Sequence, residues 1–181
     1  ISKYQGCLLF DERLWQYYKF LENVSLEQEP GKIVLEKNKI IRTTGKTVET
    51  FTLVQEGLVY EVKNYKGKVF VDLDCRFITD ESDQGRIYVQ DYAHDGFLVV
   101  NYTKFTDSSL QQPLHTKHIA LSGCKGFHGM DSWISRSYSY GESRNDASDF
   151  HVYRAGWVPC NKSLKLFFTF GNDRKQVIAQ N

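Results

Sequence analysis

The sequence predicts an all-β fold, an antiparallel up-and-down β-barrel with a short helix or two, with a jelly-roll or immunoglobulin-like β-sandwich as the alternative. Three observations carry this. There are roughly nine short strand-like segments, turn signals recur about every 8 to 12 residues, and strands do not alternate with helices as a parallel sheet requires. The 181 residues suit a single domain over 1–181, since a chain of this length buries one core.

At the N-terminal end, Phe10, Leu14, Tyr17, Tyr18 and Leu21 recur at helical spacing, with Asp11 and Glu12 where a helix start favours negative charge. That predicts a short helix. Trp15, Tyr17 and Phe20 set among polar residues predict a first strand instead, and both readings stand at this point. From Gly31 onward the pattern is that of strands: Lys32 to Ile41, Val48 to Val54, and Gly57 to Val62 after a break at Gln55-Glu56. In Lys68 to Ile78, Val69, Val71, Leu73, Cys75 and Phe77 share one face while Phe70, Asp72, Asp74 and Arg76 share the other. Arg86 to Tyr92 and Gly96 to Thr103 form a pair across Ala93-His94-Asp95; Lys117 to Leu121, Phe150 to Arg154, Leu164 to Phe170 and Gln176 to Ala179 complete the strands. Phe105 to Pro113 and Lys125 to Asp149, rich in Ser, Gly, Asp and Gln, read as long loops of the functional kind.

Charge and composition exclude whole classes. A net charge of +1 gives no cationic excess for nucleic acid or an anionic membrane surface. No stretch approaches the roughly 18 apolar residues of a membrane span, and Ile1 to Gly6 do not read as a signal peptide, so a soluble domain is expected. Three Asn-x-Ser/Thr sequons, at Asn23, Asn101 and Asn161, occur among eight asparagines, where chance would supply about one, and predict glycosylation. Cys7, Cys75, Cys124 and Cys160 are widely spaced with no Cys-x-x-Cys pair; two disulfides of open connectivity, and with them a secreted protein, are the expectation, four buried thiols the alternative.

Catalysis finds no constellation, so no enzyme and no cofactor are expected. Ser122-Gly123-Cys124-Lys125-Gly126 has the wrong order for a nucleophile elbow. His115-x-x-His118 with Cys124 and His128 could be drawn as a metal site, but on a strand His115 and His118 point to opposite faces, so no metal is expected. Asp72 and Asp74, about 7 Å apart along one strand face, read mainly as its solvated side. The excess is aromatic: 12 Phe, 11 Tyr and 3 Trp. In a barrel they either fill the core or line a cup, and Tyr60, Phe70, Tyr88, Tyr92, Phe97 and Tyr102 are the candidate lining, with Asp72, Asp74 and His94 as polar groups at its mouth.

The run Ile87-Tyr88-Val89-Gln90-Asp91-Tyr92-Ala93-His94-Asp95-Gly96-Phe97-Leu98-Val99-Val100 resembles lipocalins, in which an Asp-Tyr dipeptide at a tight turn links two apolar strands. Ser132-Trp133-Ile134-Ser135-Arg136 is similar to the family's Arg-containing segment, and Phe10 to Tyr18 to its first strand with Trp15 as the tryptophan, although Arg13-Leu14-Trp15 lacks the glycine of Gly-x-Trp. The resemblance implies a divergent secreted carrier with Cys7 joined to Cys124 and Cys75 to Cys160. It further implies a small hydrophobic or amphipathic ligand held in a closed apolar cup. The competing class is an extracellular or viral-surface recognition module that binds a protein or glycan partner through residues 125–149, where Ser135-Arg136-Ser137-Tyr138-Ser139-Tyr140-Gly141 has the composition of a binding loop.

Overall fold

The computed structural model describes residues 5–12, 14–106, 109–139 and 148–181, less the side chains of Ala93, Ser109 and Leu110. In chain order the elements are β1 (Cys7–Asp11), β2 (Gln16–Leu26), β3 (Lys32–Glu36), β4 (Lys39–Thr44), β5 (Thr47–Val54), β6 (Gly57–Phe77), β7 (Arg86–His94), β8 (Gly96–Thr106), β9 (Ser109–Cys124), β10 (His128–Ser137), β11 (Asp149–Gly171) and the helix α1 (Arg174–Gln180). The all-β, antiparallel expectation holds, with one short helix among the described residues. The main path runs β3-β4-β5-β6-β11-β9-β8-β7; β2 adds to β6 and carries β1, and β10 adds to β11. Among the described residues this ladder does not close into a barrel.

Two long strands organise everything else. β6 and β11 span 21 and 23 residues, each merging two segments that the sequence presents as separate. The polar stretches that look like turns, Lys63 to Gly67 and Cys160 to Ser163, pair with one another and continue the ladder. A bulge at Lys162/Ser163 and left-handed backbone at Asn64 (φ 57°) and Lys162 (φ 82°) let both strands bend together. Beyond the bend each strand changes its outer neighbour: β6 passes from β5 to β2, and β11 from β9 to β10. One core therefore collects Tyr18 and Phe20 of β2, Val71 and Leu73 of β6, Tyr102 of β8, Ile119 of β9 and Phe168 of β11. Val99, Ala120 and Val177 form a smaller cluster where α1 covers the far face of β8 and β9.

The strand reading of the N-terminal end holds, and four other local expectations are corrected. Phe10 to Leu21 is a hairpin, not a helix, because Phe10 and Tyr17 face each other across β1 and β2. Gln176 to Ala179 belongs to α1; four residues are too few to separate the two periods, and the Asp173 carboxylate accepting the Gln176 N–H starts a helix. Phe105 to Pro113 lies largely in β8 and β9, and Lys125 to Asp149 contains β10. Tyr138, expected on a binding loop, is 1% exposed, while Tyr140 lies outside the described residues.

No disulfide forms; Cys7, Cys75, Cys124 and Cys160 are buried free thiols. For the pairing of Cys75 with Cys160 the obstacle is register. Cys160 sits opposite Gly67, eight residues along β6 from Cys75, a separation of about 26 Å against the roughly 7 Å limit for bridged Cα atoms. Cys7 and Cys124 lie in different strand pairs, opposite Leu21 on β2 and Gly96 on β8.

Candidate functional site

The β1–β2 hairpin presents an aromatic tip. Its turn is set by the Leu14 N–H donating to Asp11 Oδ1 at 3.1 Å and by left-handed backbone at Trp15 (φ 53°), a conformation bulky L-residues rarely adopt. Trp15 is 79% exposed at the apex, with Phe10, Leu14 and Tyr17 exposed beside it. The Phe10 ring meets Trp15 edge-on at 5.2 Å and 76°, and Tyr17 at 5.3 Å and 64°. The other face of the hairpin is anchored. Tyr18 packs edge-on against Phe77 at 4.7 Å, lies beneath the Lys117 ammonium, and exchanges a hydrogen bond with His115 Nε2 at 3.1 Å. Burial, then Lys117, lowers the His115 pKa to about 4. An anchored strand thus carries apolar rings into solvent.

A second feature lies where β6 and β11 part, beyond the Leu73–Tyr153 pair. The backbone groups released there are taken up by side chains. The Tyr88 hydroxyl accepts the Cys75 N–H at 2.8 Å, and the His151 carbonyl accepts from Arg86 at 2.8 Å and Arg76 at 3.2 Å. Asp74 faces Arg76 and Arg86 at 2.7 Å each and Lys19 at 3.1 Å, while Lys19 also pairs with Glu22. Asp83 joins Arg76, Arg86 and His151 from the side. Burial alone would raise the Asp74 pKa, but Arg76, Lys19 and Arg86 hold it below the ordinary carboxylate value. A cavity of about 10 Å³ bounded by Lys19, Asp74, Arg76 and Phe150 matches one water molecule. Oppositely charged side chains bonded to one another around so small a void read as a structural clamp.

The residues singled out as a cup lining are dispersed. Tyr88 and Tyr102 do come together, 4.7 Å apart in the core, with Tyr88 stacked on Tyr153 at 4.2 Å. Tyr60 is buried away from them and donates to Glu49 at 2.9 Å. Phe70 lies under the Arg154 guanidinium, Tyr92 is exposed and donates to Gln90, and Phe97 stacks on His94. Asp72 and Asp74 are not a solvated face: both are buried, Asp72 held by two bonds from Arg154 at 2.8 and 3.0 Å and one from Arg136 at 2.9 Å. His115 and His118 do point to opposite faces, toward Tyr18 and Asn101 respectively. Among the sequons, Asn161 is exposed, while Asn23 and Asn101 are half-buried strand residues bonded to Arg42 and His118.

The exposed hairpin rings were missed as a site; the alternation of Trp15 and Tyr17 with Tyr18 inward was the available signal, blurred by the competing helical period. The buried cations left no comparable trace, because charged residues in a strand read as solvent-facing. No family model matches the chain, and no curated protein or solved structure matches it either. Among the described residues no helix is long and apolar enough to cross a membrane.

Proposed function

We propose that this chain is a recognition module that binds a protein partner through the tip of the β1–β2 hairpin. The observation that carries the reading is Trp15, 79% exposed on a left-handed turn and buttressed edge-on by Phe10, which Tyr17 meets from the other side. Exposed Trp and Tyr on a pre-organised support give binding energy with little ordering cost. The steep angles between the rings favour a knob entering a protein pocket over a flat stacking platform for sugar. A setting outside the cell is part of the proposal, supported by the exposed sequon at Asn161.

A photo-crosslinking side chain placed at Leu14, with the protein displayed to candidate cells or extracts, tests the reading. The expected result is a crosslinked partner protein that disappears on Trp15→Ala and persists on Leu53→Ala, a change at an exposed site on β5. Crosslinking indifferent to Trp15→Ala overturns it. So does one saturable site for an apolar fluorescent probe that survives the same substitution, which would favour a carrier.

A further inference from the structure

The β3 end of the sheet is open. All five residues of β3, Lys32-Ile33-Val34-Leu35-Glu36, are exposed, and β3 ends the strand path. Its centre, Ile33-Val34-Leu35, is apolar and carries no charge, proline or bulge, the charges sitting only at its ends in Lys32 and Glu36. A single cross-strand row explains why this matters: Leu35 faces Ile40, Ile40 faces Phe51, Phe51 faces Tyr60, and Tyr60 faces Leu166. Exposure along that row climbs from 0% at Leu166 and Tyr60 to 43% at Ile40 and 75% at Leu35. The apolar stripe of the core therefore runs past its cover to the edge.

We infer that a second copy of this chain completes the sheet by pairing its own β3 antiparallel to this one about a two-fold axis at Val34. The sequence of the strand carries the choice of occupant. In antiparallel alignment centred on Val34, Lys32 faces Glu36 of the second copy and Ile33 faces its Leu35, while a parallel alignment would set Lys32 against Lys32. The backbone permits this register. The two-residue turn at Lys37-Asn38 makes Glu36 and Lys39 a hydrogen-bonded pair, so Lys32, Val34 and Glu36 spend their N–H and C=O groups on β4. Those of Ile33 and Leu35 point outward, and the two-fold alignment brings these two residues opposite each other. The contact is isologous and closes at two copies. It does not depend on the aromatic hairpin, which belongs to the separate branch through β2.

Sedimentation velocity over a concentration series tests the inference. Wild-type protein should dimerise, and Lys32→Glu should raise the dimer dissociation constant on the order of tenfold, since it sets two like-charge pairs in place of two attractive ones. The exchange Lys32→Glu/Glu36→Lys should restore it. Leu35→Pro, which removes only an outward N–H, should give a monomer with an unchanged circular dichroism spectrum. Trp15→Ala should leave dimerisation unaltered. A chain that stays monomeric up to about 100 μM, a dimer that ignores these β3 substitutions, or assembly beyond two copies through β3 overturns the inference.

Discussion

Tyr17 and Tyr18 are neighbours in the chain and opposites in the fold: Tyr18 is 1% exposed against Phe77 and His115, and Tyr17 stands half in solvent beside Phe10. The strand's two-residue period converts one backbone into an anchor and a display surface.

That division separates stability from binding. Tyr18→Ala should cost about 3–5 kcal/mol in urea unfolding, because it leaves a ring-sized hole in the core. Trp15→Ala should change stability by no more than about 0.5 kcal/mol. Comparable losses from the two substitutions would mean that the hairpin tip is part of the core and not a presented surface.

Asp74 faces Lys19, Arg76 and Arg86 together. Asp74→Asn should destabilise the fold by about 2–3 kcal/mol, since Lys19 keeps Glu22 and Arg76 and Arg86 keep Asp83, but the buried carboxylate that all three share is gone. Chemical denaturation of the variant measures this, and a loss under about 1 kcal/mol would falsify the clamp.

Stability should fall on mild acidification. The folded chain holds His115 at a pKa of about 4, below its ordinary value of 6.5, so between those values the unfolded chain takes up a proton that the folded chain refuses. Stability is therefore full above about pH 6.5 and is lost as pH drops toward 4. His115→Gln should flatten that slope in part, because His118, lowered by burial and by Arg174, contributes with the same sign. A variant with the wild-type slope would rule out His115 as its source.

The cysteines should titrate as thiols. Unfolded without reductant, the chain should yield four reactive thiols, and its mass should not change on reduction. Cys75→Ala should cost about 1–2 kcal/mol from a small cavity, less than loss of a disulfide would. Burial pushes the Cys75 thiol up to about 12, so in the native state it should resist alkylation. Fewer than four thiols on unfolding would restore a disulfide to the fold.

The β fold was legible because strand signals are local. Alternation in Lys68 to Ile78 correctly separated the inward face of Val69, Val71, Leu73 and Cys75, and the pairing of β7 with β8 across Ala93-His94-Asp95 followed from turn composition. Continuity was less legible. Lys63 to Gly67 and Asn161 to Ser163 have turn-like sequences, and each extends a strand only because the other lies beside it. The same limit applied to the site, where helical and strand periods overlapped from Phe10 to Leu21 until Phe10 met Tyr17 across the hairpin.

By itself the sequence determined the class of the fold, the relative faces of its best strands and the opposed directions of His115 and His118, since each follows from the period of one strand. Tertiary structure alone decided which face was inside and what covered the other. Asp72 and Asp74 read as solvated carboxylates until Arg136 and Arg154 closed over the first, and Lys19, Arg76 and Arg86 over the second. All of those partners but Arg76 come from other strands, so the burial of these charges depends on pairings no local pattern contains.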